Sequence, residues 1–95
     1  MRHRIAVSCL LFAAALLVAC SGPTEKKMKF FQKGQALYEK KDYVKAGLEF
    51  KNALQIAPKF ADAHYMMGMS QMMRGDLPHA YGSFTKATEL EPENL

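Results

Sequence analysis

The sequence has little of what most function classes require. It contains no tryptophan, only two cysteines, and no low-complexity tract. Thirteen lysine and arginine residues face nine acidic ones, a formal net charge of +4. Arg2 and Arg4 supply two of those charges within the first four residues; without them 11 basic residues face 9 acidic, a net of +2. That balance is too mild for a nucleic-acid partner, which calls for a basic face or stripe. There is no glycine-rich phosphate loop, no histidine-pair metal motif and no lipase-type serine elbow. His79 and Asp76 are near neighbours, but they read as a capped helix start, and Glu89, Glu91 and Glu93 around Pro92 read as a solvated end. The chain is therefore expected to be neither an enzyme nor a carrier of a metal or cofactor. With 95 residues it has room for one small domain at most.

No apolar run is long enough to cross a bilayer as a helix, which takes about 20 residues. The longest, Ile5 to Ala19, has 15 and is interrupted only by Ser8. Behind Arg2, His3 and Arg4 it fits a secretory signal over residues 1–19 better than a membrane anchor. Its end, Leu17-Val18-Ala19-Cys20, resembles the lipobox of bacterial lipoproteins. That resemblance implies a diacylglyceryl group on the Cys20 sulfur, cleavage before Cys20 and acylation of the new amino group. Cysteine usage agrees. Cys9 would leave with the signal, and the unpaired Cys20 of an exported protein needs an explanation that lipidation supplies. Two or three acyl chains anchor stably where one does not. In that family an aspartate after the cysteine often retains the protein at the inner membrane; Ser21 there favours the outer one. Residues 20–26 would be the lipidated cysteine and a tether, with Ser21 to Glu25 (SGPTE) non-helical. Lys26, Lys27, Lys29 and Lys33 follow. They read as a solvated helix face, with a modest attraction to anionic head groups as the second reading.

The rest of the chain repeats itself. Gly34, Asp42, Ala46, Phe50, Ala53 and Pro58 recur 34 residues later as Gly68, Asp76, Ala80, Phe84, Ala87 and Pro92. Phe31/Tyr65, Ala36/Ser70, Lys40/Arg74 and Ile56/Leu90 are conservative pairs at the same offset. A fixed period of this size in a helical pattern marks a stacked-hairpin repeat. The spacing predicts helices over about 27–40, 43–57, 61–74 and 77–90, in units 27–60 and 61–94. Apolar or small residues at Tyr43, Ala46, Gly47, Phe50, Ala53, Leu54 and Ala57 fall at i, i+3, i+4, i+7 and give one buried face. Asp42 and Asp76 are suited to cap the following helices. Pro78 falls in a first turn, and Pro58 and Pro92 just past helix ends. The pairs Gly34/Ala46 and Gly68/Ala80 would let facing helices approach closely, with Phe50 and Phe84 filling the space beside them. Gly47 and Gly82 lie inside helices, where glycine costs roughly 0.5–1 kcal/mol relative to alanine.

Together these residues resemble the tetratricopeptide repeat over Lys27 to Asn94. The matching positions are Gly34, Tyr43, Ala46, Phe50, Ala53 and Pro58, then Gly68, Ala80, Phe84, Ala87 and Pro92. The departures are His64 for an early large aromatic, Lys33 for a leucine, and Leu37 and Gln71 for a tyrosine. The resemblance implies an all-α solenoid of two helical hairpins behind a lipoprotein signal. It also implies a concave groove that takes a protein or peptide partner. The residues matching groove positions are Met28, Phe31, Gln35, Tyr38 and Glu39, then Asp62, Tyr65, Met69, Met72 and Met73. Methionine-rich faces are adaptable and recur at promiscuous binding surfaces; the alternative is that half of this stripe is core. Met66, Met67, Met69, Met72 and Met73 with His64 also invite a Cu(I) reading. Residues 66, 67 and 69, however, leave a helix in several directions and cannot converge on one ion.

The expected function is thus a membrane-anchored interaction module in the bacterial cell envelope, facing the periplasm. The phrase EFKNALQIAP and the distance from lipobox to repeat resemble the amino end of the repeat lipoproteins of exosortase (PEP-CTERM) systems. These go with exopolysaccharide production and protein sorting. The alternative is a pilotin-like or outer-membrane-assembly lipoprotein serving a secretion or pilus machine. Removing 19 residues leaves 76, a size at which a single core is marginal, and arrays usually need about three units. Either a longer protein or a partner, including a second copy at the open hairpin, is expected to complete the stack.

Overall fold

The computed structural model describes residues 22–91. They form four helices and no strand: α1 Pro23–Glu39, α2 Tyr43–Ile56, α3 Ala61–Met73 and α4 Leu77–Leu90. α1 packs on α2 and α3 on α4, giving two helical hairpins; α2 against α3 joins them, and α1 touches α3 over a short stretch. The expected all-α hairpin fold is the one observed. The signal, Cys20 and Pro92 lie outside the described residues.

α1 begins earlier than the sequence predicts. Pro23, Thr24 and Glu25 form its first turn behind Gly22, whose carbonyl accepts from the Lys26 N–H at 3.1 Å. The non-helical tether expected over Ser21 to Glu25 is therefore corrected from Pro23 onward. Proline is tolerated at a first helical position because its missing N–H would have had no partner there and its φ is already helical. Glu25 adds a favourable charge at the positive end of the helix dipole.

The two turns within the hairpins are built alike. Lys41 N–H donates to Tyr38 O and Asp42 N–H to Leu37 O, both at 2.9 Å; Gly75 N–H donates to Met72 O at 3.0 Å and Asp76 N–H to Gln71 O at 2.9 Å. This is the paired closure that ends a helix through one left-handed residue. That residue is Gly75 (φ 80°) in the second hairpin but Lys41 (φ 66°) in the first, where a side chain makes the conformation costly. Asp42 and Asp76 close one helix and open the next. Asp42 accepts from Lys45 N–H at 3.3 Å, and Asp76 from His79 N–H at 3.4 Å.

The core sits mainly in the first hairpin and its joint with α3. Phe31, Ala46, Phe50, Ala53 and Ala63 are buried together, with Leu37, Leu54, Phe60, Met66 and Met67 half-buried around them. The small residues act more directly than expected. A Cβ on Gly34 would lie 2.6 Å from Phe50 Cε1, so the Phe50 ring itself occupies the side-chain space of Gly34. Gly68 stands in the same way to Phe84, at 2.8 Å. Gly47 and Gly82 have no such reason to be glycine: a Cβ on Gly47 would meet only Ser70 Cβ at 4.0 Å, and one on Gly82 would meet nothing within 4 Å.

Candidate functional site

The ten residues matching groove positions lie on α1 and α3, but they do not form one uniform surface. Phe31 is corrected from groove to core. It is only 7% exposed, with its ring 5.6 Å from that of Phe50 and 4.9 Å from that of Phe60. Phe60 comes from the turn that enters α3, so the second hairpin closes over Phe31. Met28 is half-buried against the same cluster. Tyr38 is also half-buried, its ring 5.2 Å from Tyr43 in an edge arrangement.

The accessible part of the face comes from the remaining positions. Gln35 and Glu39 are exposed on α1, and Asp62 is exposed in the first turn of α3. Tyr65, Met72 and Met73 are 39%, 40% and 49% exposed, and Met69 is half-buried between them. Residues 65, 69, 72 and 73 share one side of a helix by the i, i+4, i+7, i+8 rule. This stripe is thioether and aromatic, with Glu39 and Asp62 as the charged members of the set and no basic residue among the ten. It can take apolar side chains, and its two carboxylates favour a segment that also carries positive charge.

The methionines diverge as their spacing requires. Met66 and Met67 pack against the core, while Met72 and Met73 face outward. Among the described residues no group of three or more His, Cys, Asp or Glu side chains could hold a metal ion, and no helix is long and apolar enough to cross a membrane.

Three features carry little signal in the sequence. His64, which replaces the large aromatic of the first unit, donates from Nε2 to Pro58 O at 2.8 Å and ties α3 to the preceding turn. Ser83 Oγ donates to Gln71 Oε1 at 2.7 Å across the second hairpin, where the first hairpin has Glu49 and Leu37. Lys33 Nζ lies 3.8 Å from Glu49 Oε1, so the lysine in a leucine position meets a carboxylate rather than a void. Only the departures from the repeat pattern pointed at His64, Gln71 and Lys33. A shallow cleft of about 260 Å³ opens at the α2–α3 joint, lined by Val44, Leu48, Met67 and Arg74 among others.

Asp76 has a perturbed carboxyl. Its carboxyl is held below the ordinary 3.8, chiefly by the side-chain hydrogen bond from His79, against a smaller desolvation effect. His79 Nδ1 lies 2.9 Å from both Asp76 oxygens. With the His79 N–H also donating to Asp76 Oδ1 at 3.4 Å, the contact forms an N-terminal cap of α4.

No family model matches the chain, and no curated protein matches it.

Proposed function

We propose that this protein is a lipid-anchored interaction module of the bacterial cell envelope, built from two tetratricopeptide-like hairpins, which binds a protein segment on the shared face of α1 and α3. The observation that carries the reading is the exposed apolar stripe of Tyr65, Met72 and Met73 on α3, with Gln35 and Glu39 exposed on α1. A soluble face gains nothing from three exposed large apolar groups in one line, whereas a partner segment would bury them at roughly 25 cal/mol per Å². The acidic residues at its edges favour a partner that is apolar with basic flanks. The lipobox at Leu17 to Cys20 supports attachment to a membrane from the periplasmic side, with Ser21 favouring the outer one. The likeness to exosortase-system lipoproteins makes an exopolysaccharide or protein-sorting machine the proposed setting.

Met72→Glu with Met73→Glu tests the binding face at two of its exposed apolar positions. The native protein and this variant are cross-linked in membranes and their partners compared. Loss of the partner with retained helical signal is the expected result. An unchanged partner would remove the α1–α3 face as the site. Intact mass of the membrane-extracted protein tests the anchor. It should equal residues 20–95 plus acyl chains, or a longer chain bearing them.

A further inference from the structure

We propose that the N-terminal end of α1, through Lys26 and Lys29, rests against anionic phospholipid head groups. The proposal relies on acylation of Cys20. Lys26, Lys29 and Lys33 on α1 and Lys40 at its C-cap form one stripe, separated by three, four and seven residues. All four are exposed.

Their counterparts 34 residues later, Phe60, Ala63, Met67 and Arg74, occupy the side of the α3 hairpin that meets hairpin one. Ala63 is fully buried there, and Phe60 and Met67 pack against the core. The same face of α1 has no preceding hairpin among the described residues and carries lysines instead.

A face that needs only to be wetted can carry either sign. Elsewhere the exposed charges mix, as in Lys45 with Asp42 and Lys86 with Glu89. The α1 stripe carries four lysines, and only Lys33 has an ion pair among the described residues, with Glu49. Glu25 shares the surface of Lys26 and Lys29 at the tip and leaves a net of +1 among the three.

The early start of α1 gives this stripe its partner. Cys20 is three Cα steps from Pro23, which span at most roughly 11 Å when fully extended. The helix tip therefore cannot stand much farther from the bilayer than the screening length of about 8 Å at physiological salt. Lys26 and Lys29 lie in the first two turns. Lys40 lies about 21 Å farther along the axis than Lys26 at the helical rise, beyond the reach of that field when α1 stands off the surface. Each lysine near an anionic surface is worth about 1 kcal/mol, or about 5-fold in occupancy.

Amine footprinting of the full native lipoprotein tests this. The protein is reconstituted in vesicles of phosphatidylcholine alone or with phosphatidylglycerol, acylated with a water-soluble reagent, and read lysine by lysine by mass spectrometry. Lys26 and Lys29 should react about 5-fold more slowly in the anionic vesicles. The difference should vanish in 1 M salt, where the screening length is about 3 Å, and Lys40 and Lys51 should be unaffected. Equal reactivity of Lys26 and Lys29 in the two vesicles, or equal slowing at Lys40, overturns the contact while leaving the anchor intact. Intact mass of the same sample separates the two questions. A protein without acyl chains refutes the anchor, and the contact falls with it.

Discussion

The four helical glycines make a matched set on which one substitution has opposite expected signs. Changing glycine to alanine inside a helix gains about 1 kcal/mol when the methyl group has room. At Gly82 there is room: nothing lies within 4 Å of the new Cβ. At Gly47 the nearest atom is Ser70 Cβ at 4.0 Å, an ordinary contact. Gly82→Ala and Gly47→Ala should therefore each stabilise by about 0.5–1 kcal/mol, raising Tm by about 4–8 °C per kcal/mol for a domain of this size. At Gly34 the methyl group meets Phe50 Cε1, Cδ1 and Cζ at 2.6, 2.8 and 2.9 Å. Phe50 is fully buried with Phe31 beside it, so its ring has nowhere to go. Overpacking of this kind costs about 1–3 kcal/mol. After the helix gain is subtracted, Gly34→Ala should destabilise by up to about 2 kcal/mol. Gly68→Ala should fall between, because Phe84 is only half-buried and can shift. Thermal and urea unfolding of the four variants, followed by helical circular dichroism, gives the order directly. A Gly34→Ala protein as stable as Gly82→Ala would refute the assignment of the Phe50 ring to the space of Gly34.

Other substitutions probe the turns and the seam. Lys41→Gly should stabilise by up to about 1 kcal/mol by relieving the left-handed lysine, and Gly75→Lys should do the reverse in urea titrations. Ala46→Leu should cost about 1–3 kcal/mol, since Ala46 is fully buried between α1 and α2; an unchanged urea midpoint would show that the seam is loose. Asp76 has a lowered folded-state pKa, so the unfolded chain binds the proton more readily. Its contribution is present above the ordinary 3.8 and is lost as the pH falls through the lower folded value. The stability gap between wild type and Asp76→Asn should therefore close as acid is added. A gap independent of pH would remove the His79 ring from the cap.

Much of the fold is legible in the sequence because the repeat is written in packing residues. Gly34, Ala46 and Phe50 recur at a fixed offset since each fills or vacates a defined volume, and Asp42 and Asp76 are visible because an N-cap is a local demand. The start of α1 was not legible: Gly22 and Pro23 look like a tether, and proline marks either a break or a first turn. Nor was the left-handed turn at Lys41, where lysine gives no sign that its φ is positive. The binding face was legible only as a stripe. Periodicity places Phe31 and Tyr65 at equivalent positions, and it says nothing about which of them a neighbouring hairpin covers.

That pair separates what the repeat sets from what its surroundings set. Phe31–Phe50 and Tyr65–Phe84 have the same centroid distance, 5.6 Å, and nearly the same tilt, 55° and 52°. Within a hairpin the geometry is therefore fixed by the repeat. Yet Phe31 is 7% exposed and Tyr65 39%, because Phe60 lies over Phe31 and no second ring lies over Tyr65 among the described residues. The same contrast runs along α2 and α4: Leu54 packs against the core, whereas Thr88 is exposed and bonds back to Phe84 O at 2.9 Å. Among the described residues α2 is held from both sides, by α1 and by α3, and α4 is held by α3 alone. Opening free energies follow such buried contacts. Amides of α4 should therefore exchange at least about tenfold faster than those of α2 in the free protein. Binding on the α1–α3 face would slow exchange at Tyr65 and Met69, and through the Tyr65–Phe84 contact in α4 as well. Equal protection of α2 and α4 in the free protein would mean that something already covers the second hairpin.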